Sequence, residues 1–418
     1  MTPQSPLLDA CRACGSSELL LFLPMGDHPP ANMFVRPEDA DKPQPAFPLN
    51  AQACLECGLI QVADQLPEGF FRHYLYIPSG AVTMHGHFEG LARVLTERAA
   101  GGLIVDIGCN DGLMLGFANG LGAKTLGIDP AANLAAKAAE IGVEVHIAYF
   151  GPETAQELRQ QRGPAKVIST TNTLNHIGDL VSFMQGITHL LADDGWFVVE
   201  VPWGRDIIQS NQFDNIYHEH MSELSLKSLV RLAERTGMAV VDVSYLAVHG
   251  GSMRVFMRKA AAATAPSDDV AKMLAAEAEA GMDDAAVYND FATRARQAGV
   301  DLRALLSDLK AQGKTIAGYG APAKGNTLLN FYQIGPDMLD FLVDRNPLKQ
   351  GMLSPGMLIP ICDVSAIADR RPDYLLVLAW NFFDEIRSQL AGFEAAGGRF
   401  ILPIPFPHMV VADDRRTA

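Results

Sequence analysis

The stretch Val105-Asp106-Ile107-Gly108-Cys109-Asn110-Asp111-Gly112 is the part of this sequence that decides the fold. A short apolar run that begins at Leu103 leads into it, and a helical pattern follows it. Glycines at such a junction let the backbone approach a ligand closely, and they leave the first N–H groups of the helix available to it. The stretch therefore predicts a ligand-binding loop after the first strand of an α/β sheet.

The composition of this loop favours one class of ligand. A dinucleotide site holds a pyrophosphate with G-x-G-x-x-G, whereas Asn110 stands here in place of the second glycine. Asp106 precedes the loop, and Asp129 ends the next apolar run, where a carboxylate can accept both ribose hydroxyls. S-adenosylmethionine (SAM) carries an ammonium and a sulfonium instead of phosphates. We therefore predict that Asp106, Gly108, Asn110, Gly112 and Asp129 bind SAM; another nucleotide site, or glycines that serve packing alone, are the alternatives.

Short apolar runs rich in Val and Ile alternate with helical stretches beyond this point. They begin at Leu103, Lys124, Val143, Lys166, Trp196, Ala239 and Met253. Runs of this length, separated by helices, are typical of a mostly parallel sheet with helices on its faces. Seven strands, the last two close together in the chain, predict an α/β fold with the Rossmann-like sheet of SAM-dependent methyltransferases.

The remaining sequence predicts further domains. Leu302, Leu305, Leu306 and Leu309 follow helical spacing and predict a helix with one buried face. A second α/β series comes after it, in KTIAGYG, MLDFLVD and DYLLVLAW. We expect a zinc-binding domain over 1–75, a methyltransferase domain over 76–260, a helical linker over 261–304 and a C-terminal α/β domain over 305–418.

The zinc prediction rests on four cysteines near the N-terminus. They form two C-x-x-C pairs, Cys11 with Cys14 and Cys54 with Cys57. Two such turns let four thiolates meet around one zinc ion, and a closed four-thiolate site has a structural role because it leaves no position open for substrate. A redox pair or simple burial is the alternative.

Composition narrows the class of protein. The 418 residues are 48% hydrophobic and 19% charged, which is ordinary for a globular protein. The net charge of −15 disfavours a nucleic-acid partner, since nucleic acid requires a basic surface. Long apolar runs and a secretion signal are missing from the sequence, so we expect no membrane partner and a cytoplasmic location. The oligomeric state stays open.

The segment Asn211-Gln212-Phe213-Asp214-Asn215-Ile216-Tyr217-His218-Glu219-His220 follows the fifth predicted strand. Ligands bind at this edge of such sheets, and four proton-handling side chains in four positions indicate proton transfer. Histidines two residues apart do not share a helix face, which disfavours the H-E-x-x-H type of metal site. A metal site and a structural cluster are the alternatives. His176, just after the fourth strand, is expected to face the same cleft.

Several of these motifs together resemble one family, the sugar C-methyltransferases of deoxysugar pathways (tetronitrose C-methyltransferase-like). The resemblance runs nearly end to end. Besides the cysteines it rests on VDIGCNDG, NTLNHIGDL, EVPW with NQFDNIYHEH, HGGSMRV, GYGAPAKGNTLLN, DRNPLKQG and PGMLIPI. It implies a zinc-binding N-terminal domain, a SAM domain and a C-terminal α/β domain.

The resemblance also implies roles for single residues. Tyr217, Glu219 and His220 would lie beside the sugar with His220 as the base, and Tyr76 and His176 would join them. A base near neutral pKa can take the proton next to a ketone, and donors such as Tyr217 and His176 can then stabilise the enolate oxygen. Glu219 would orient His220 or raise its basicity; the sequence does not choose between these.

The substrate implied is a nucleotide-diphosphate keto sugar. The loop Gly318–Thr327 is expected to hold its diphosphate through Gly320, Lys324 and Asn326, with His249 lining the same cleft. From spacing alone, a packing loop is an equal alternative. Two other functions remain open, a C-methyltransferase of this architecture with a non-sugar substrate and a NAD-dependent sugar oxidoreductase.

Overall fold

The computed structural model describes residues 7–64 and 82–410. Within those ranges the strands form three sheets, of four, seven and six strands. Tyr76 and the predicted domain boundary at residue 75 lie outside the described residues.

The first sheet is antiparallel and lies mostly in the N-terminal part. Its strands, in spatial order, are β1 (Leu19–His28), β2 (Phe47–Cys54), β3 (Ile60–Val62) and β9 (Ser222–Glu223). The sequence pattern did not predict this sheet, because bulges in β1 and a three-residue β3 hide the alternation of apolar residues. Its last strand comes from the segment that carries the predicted catalytic residues.

The seven-stranded sheet is the predicted Rossmann-like sheet. Its strands are β4 (Leu103–Ile107), β5 (Lys124–Ile128), β6 (Val145–His146), β7 (Ala165–Thr171), β8 (Leu191–Pro202), β10 (Met238–Leu246) and β11 (Ser252–Lys259). Their order is β10-β11-β8-β7-β4-β5-β6, and β11 runs antiparallel to its neighbours. All seven predicted runs are confirmed as strands. The order reverses between β4 and β7, so the ligand crevice is expected at their carboxyl ends.

Helices cover both faces of this sheet. They are α1 (Val82–Ala99), α2 (Leu113–Gly120), α3 (Ala132–Glu140), α4 (Pro152–Arg162), α5 (Leu180–Leu190) and α7 (Leu226–Arg235). A further short helix, α6 (Gly204–Gln209), follows β8 and packs into the core of the other two sheets. Buried residues of α1 and α2 pack on one face of the sheet, and those of α4, α5 and α7 pack on the other. No helix in the described part of the chain has both the length and the hydrophobicity that a bilayer crossing needs.

Two helices, α8 (Asp268–Glu279) and α9 (Ala285–Ala311), connect this sheet to the third one. In α9, Leu302, Leu306 and Leu309 are buried and Leu305 is partly buried, which confirms the predicted amphipathic helix. The predicted boundary at residue 304 falls inside this continuous helix.

The third sheet has the order β14-β13-β12-β15-β16-β17. Its elements are β12 (Ile316–Tyr319), α10 (Ala323–Phe331), β13 (Leu342–Val343), β14 (Ile361–Cys362), α11 (Ala366–Arg370), β15 (Tyr374–Val377), α12 (Phe383–Gln389), α13 (Ala391–Ala395), β16 (Arg399–Leu402) and β17 (His408–Met409). The C-terminal α/β series predicted from the sequence is therefore present.

The N-terminal and C-terminal sheets share one hydrophobic core. Phe22 of β1 contacts Tyr288 of α9 with ring centroids 5.3 Å apart, and Phe213 contacts Tyr332 at 4.9 Å. The same core contains buried residues of β2, α10 and β15. The segment 211–223 is thus enclosed by parts of the chain that are far apart in sequence.

Candidate functional site: a cofactor loop facing a histidine cluster

The cofactor loop lies where the sequence predicts it, between β4 and α2 at the carboxyl edge of the sheet. Gly108 and Gly112 have φ of 75° and 77°, a left-handed conformation that favours glycine. A Cβ at Gly108 would overlap the Thr173 side chain. Gly108 therefore lets the loop after β4 pack closely against the loop after β7.

Two buried carboxylates lie beside the cofactor loop. Asp129 accepts hydrogen bonds from the backbone N–H groups of Asn110 and Ala131, both at 2.9 Å, which fix its position after β5. Asp106 accepts from the Ser169 hydroxyl at 2.6 Å, and burial raises the pKa of Asp106 to about 7. A carboxylate beside ribose hydroxyls and another near an ammonium suit the chemistry of SAM. The residues present therefore fit this cofactor.

The four cysteines converge as predicted. Their Sγ atoms all lie within 4.8 Å of one another; Cys11 and Cys57 are 3.6 Å apart, and Cys14 and Cys54 are 3.5 Å apart. Zinc–sulfur bonds of about 2.3 Å in a tetrahedron place sulfurs about 3.8 Å apart, so the quartet fits one zinc ion. It holds the turn between β2 and β3 against the chain that precedes β1, which is a structural role.

The predicted catalytic segment is buried throughout. Tyr217, Glu219 and His220 are 6%, 5% and 7% exposed. The segment follows α6 and turns at Tyr217, whose carbonyl accepts from the His220 N–H at 2.8 Å. Its side chains are therefore held by packing and do not move freely in solvent.

His220 is the centre of a group of rings. The His176 ring meets it edge-on with centroids 4.8 Å apart, and the Tyr217 ring stacks on it at 4.1 Å. Burial lowers the pKa of His220 well below its ordinary value, the charge of Lys324 lowers it further, and the carbonyl of Asn215 opposes both. Burial and the charge of His220 lower the pKa of His176 to about 3. Both rings are therefore neutral at pH 7.

The contact that orients His220 is made by Glu223. The Oε1 atom of Glu223 lies 2.7 Å from Nδ1 of His220. Glu219, which the sequence offers for this role, accepts instead from Nδ2 of Asn32 at 2.7 Å, and burial raises the pKa of Glu219 to about 7. The sequence contains a signal for Glu223, an acidic residue three positions after the histidine, but the adjacent Glu219 obscures it.

Lys324 reaches this cluster from the C-terminal sheet. Its ammonium lies 5.6 Å from the centre of the Trp380 ring, and Nε1 of Trp380 donates to the Asp214 carboxylate at 2.7 Å. Burial lowers the pKa of Lys324, while the charges of Asp214 and Glu223 raise it. Lys324 belongs to the predicted diphosphate loop, and its charge also reaches the histidine cluster.

His249 lies near the histidine cluster and Lys324. Its φ of 56° is left-handed, and its ring meets that of Phe382 with centroids 6.0 Å apart. Burial lowers the pKa of His249 to about 3; the charges of Lys324 and His87 act in the same direction, and that of Glu200 opposes them. The structure thus brings His249 together with His220 and Lys324.

Two residues of the predicted diphosphate loop have other partners. The backbone N–H of Gly320 donates to the Val343 carbonyl at 2.7 Å, so the expectation of a free donor at Gly320 is wrong. Asn326 is fully buried, and its Nδ2 donates to the Ala31 carbonyl at 2.8 Å. Strand register in the third sheet fixes the Gly320 N–H, and contact with the N-terminal part fixes the Asn326 side chain. The spacing of residues in the sequence reveals neither contact.

A second buried charge cluster was not predicted. His87 Nε2 lies 2.7 Å from the Glu200 carboxylate, which also accepts from Arg254. Burial acts to raise the pKa of Glu200, but the bond from His87 and the charge of Arg254 lower it overall. Glu200 belongs to the EVPW motif, whose position at the end of β8 was the signal available in the sequence.

Comparison with known proteins agrees with these observations. Family models match a zinc binding domain over residues 11–70, a methyltransferase domain over 83–243 and a C-methyltransferase C-terminal domain over 247–405. The chain is 38% identical to the C-methyltransferase NovU of Streptomyces niveus, over 97% of this chain and 98% of the relative.

The chain is also similar to solved methyltransferase structures. The plantazolicin methyltransferase BpumL in complex with SAH is 13% identical, with a TM-score of 0.35 over 43% of this chain and 85% of that one. The CcbJ methyltransferase from Streptomyces caelestis is 14% identical, with a TM-score of 0.34 over 41% and 89%. The NAD-dependent alternative is not upheld, because the end-to-end relative and two of the three family models point to methyl transfer. The chain belongs to the SAM-dependent C-methyltransferases that carry a zinc-binding N-terminal domain and a C-methyltransferase C-terminal domain.

Proposed function

We propose that this enzyme methylates a carbon atom of a nucleotide-linked keto-deoxysugar through an enolate. A sugar carbon becomes nucleophilic when the C–H proton beside a ketone is removed. His220 would take that proton on Nε2, and the electron pair of the C–H bond would move toward the ketone oxygen. SAM supplies the electrophile, a methyl group on a sulfonium, which bonds to the enolate carbon as the C–S bond breaks.

The observation that carries this proposal is the environment of His220. Its ring is neutral at pH 7, and because Nδ1 lies 2.7 Å from Oε1 of Glu223 we assign the ring proton to Nδ1 and the basic lone pair to Nε2. Tyr217 and His176 pack against the ring, and the Tyr217 hydroxyl can donate to the oxygen on which charge develops. One such donor contributes on the order of 2.7–4 kcal/mol to the transition state. The single N–H of neutral His176 donates to the Glu219 carbonyl, so the donor role expected for His176 is not supported. Lys324 adds a positive charge within electrostatic reach.

The nucleotide handle would bind at the first turn of α10. A helix leaves its first N–H groups without an intrahelical acceptor, and Lys324 is the second residue of this one. The sugar would then lie between α10 and His220, with Glu219 and His249 beside it. We also retain Tyr76 as a substrate contact and the four-part domain division, which we propose from the sequence alone.

A substrate screen tests this function. Nucleotide diphosphate-linked 4-keto-deoxysugars would be incubated with SAM and the purified enzyme, and products read by mass spectrometry. A gain of one methyl group is the expected result. When S-adenosylhomocysteine replaces SAM, so that no methyl transfer competes, the hydrogen on the carbon beside the ketone should exchange for deuterium in D₂O. An active enzyme that causes no exchange under those conditions would contradict the enolate step. Equal affinity for a substrate lacking its diphosphate would favour a non-sugar substrate of the same enzyme class.

A further inference from the structure

We propose that Glu223 is the positioning residue of the base His220, and that the zinc-binding N-terminal sheet holds Glu223 in place. This inference rests on the proposed role of His220. It assigns a role to Glu223 and gives the N-terminal domain a part in catalysis.

The contact itself is short and sheltered. Oε1 of Glu223 and Nδ1 of His220 are 2.7 Å apart, and the two residues are 1% and 7% exposed. A carboxylate that accepts a hydrogen bond from Nδ1–H fixes the tautomer with a free lone pair on Nε2. It also stabilises the imidazolium that forms when Nε2 takes a proton, as an acid partner does in hydrolase triads.

Such a partner is needed here because of the low pKa of His220. Burial and Lys324 disfavour the charged ring, and a ring of this kind is a weak base unless its cation is stabilised. The titratable groups facing the pair are Tyr217, His176, His249, Lys324 and Asp214. Glu223 is the one at hydrogen-bond distance from a ring nitrogen of His220 among the contacts of the described residues.

The second carboxylate oxygen of Glu223 indicates a function beyond stability. Oε2 is buried and has no hydrogen-bond partner among the described residues. An unsatisfied buried acceptor costs about 1–3 kcal/mol. Burial raises the pKa of Glu223 well above its ordinary value, while the charge of Lys324 opposes this. The proposal requires the carboxylate form of Glu223, which the tautomer of His220 reports. A carboxylate that served packing alone would be replaced at lower cost by an amide or an apolar side chain.

The N-terminal sheet fixes the backbone of Glu223. Ile60 of β3 pairs with Glu223, and the carbonyl of Met221 accepts from the Val62 N–H at 3.1 Å and from the Arg12 guanidinium at 2.8 Å. Arg12 follows the zinc ligand Cys11. The zinc site therefore holds together the two segments on which the position of Glu223 depends, the one that contains Arg12 and the one that leads into β3.

The tautomer of His220 tests the inference without any substrate. In protein labelled with ¹⁵N-histidine, the ring signals of His220 would be assigned by their loss in His220→Asn. We expect the Nδ1–H tautomer in the wild type and a shift toward Nε2–H in Glu223→Gln, whose amide can donate to Nδ1. A wild-type ring protonated on Nε2 would overturn the proposal.

Kinetics with a substrate from the screen supply the second test. We expect Glu223→Gln to lower kcat by about 10²–10⁴-fold, the range for a mispositioned base, with the SAM Kd, the zinc content and the melting temperature unchanged. Glu234→Gln, an exposed change on α7, is the matched control. A kcat within twofold of wild type, or a loss that follows loss of zinc, would overturn the positioning role. If His220→Asn also keeps full activity, the proposed function fails instead.

Discussion

The cofactor loop and the histidine cluster both lie against the segment after β7, through Thr173 and His176, but they are built in different ways. The loop is formed by neighbours in sequence, since Asp106, Gly108 and Asn110 follow one strand and Asp129 follows the next. The cluster draws on every part of the described chain, with Glu223 from the N-terminal sheet and Lys324 from the C-terminal one. Cofactor binding is thus a local property, and substrate chemistry depends on assembly of all three sheets.

The two regions differ in the parts of the chain to which their hydrogen bonds connect them. Besides the pairing of β9 with β3, four hydrogen bonds of side chains tie residues 218–225 to the N-terminal part: His218 to the Pro48 carbonyl, Glu219 to Asn32, the Met221 carbonyl to Arg12, and the Ser225 hydroxyl to the Cys57 carbonyl. The hydrogen bonds of Asp106 and Asp129 join residues of the central sheet and its loops. Damage to the N-terminal part is therefore expected to affect catalysis before it affects SAM binding.

Loss of the zinc site is expected to have the largest effect. Cys57→Ser removes a fully buried ligand, and structural zinc contributes folding energy directly. Methyl transfer should fall to the background rate while the SAM Kd rises by less than about tenfold, or about 1.4 kcal/mol. Zinc content, turnover and calorimetric SAM titration measure these quantities. Cys362→Ser, outside the quartet, is the control; full turnover in a zinc-free Cys57 variant would break the comparison.

The next effect in size is that of the base. His220→Asn should lower kcat by about 10²–10⁴-fold, since it removes the proton acceptor but keeps the side chain polar. The SAM Kd should stay within twofold of wild type, because the ring lies outside the cofactor loop. Single-turnover kinetics measure the first quantity and titration the second. His189→Asn, exposed on α5, should change neither; a parallel loss of SAM binding would show that the two regions are not separate.

The converse change affects the cofactor loop. Asp129→Asn should weaken SAM binding by about 10–100-fold, because hydrogen bonds to a charged acceptor contribute about 1.5–3 kcal/mol. At saturating SAM, kcat should recover most of its wild-type value. Asp268→Asn, at the exposed start of α8, is the control. If saturating SAM fails to restore kcat, Asp129 also serves the catalytic region.

The smallest expected effect concerns the hydrogen bond between Asn32 and Glu219, and it depends on pH. The Asn32 side chain donates a hydrogen bond to Glu219. Burial raises the pKa of Glu219 to about 7 and the bond from Asn32 opposes that rise, so this bond is strongest when the Glu219 carboxylate is charged. Asn32→Ala should therefore reduce the free energy of unfolding by about 1 kcal/mol above pH 8. The reduction should diminish as pH falls through 7, where Glu219 becomes protonated. Denaturant unfolding at pH 5.5 and 8.5 measures it.

Asn289→Ala, exposed on α9, is the matched control for that pH series. It should show the same change in unfolding free energy at both pH values. A pH-independent loss in Asn32→Ala would contradict the bond to a titrating Glu219.

Much of the architecture was predictable because its signals are local. The seven runs became the central sheet, and the cysteine pairs gave the metal ligands, since both patterns depend on neighbours in sequence. The four-stranded N-terminal sheet was missed because one of its strands is two residues from a distant segment. Glu223 was missed for the same reason: its contact with His220 depends on a strand pairing that the sequence does not display.

The sequence by itself determined the α/β fold and the zinc quartet, and it predicted the SAM loop with Asp129 and the segment from Asn211 to His220 that we propose carries the chemistry. Tertiary structure alone decided that Glu223 orients His220, that Glu219 bonds to Asn32, that Gly320 and Asn326 are occupied elsewhere, and that Lys324 reaches the histidines. The physical reason is range. Glycine conformation and thiolate spacing act over a few residues, whereas hydrogen bonds and charges in a buried cleft join groups up to hundreds of positions apart.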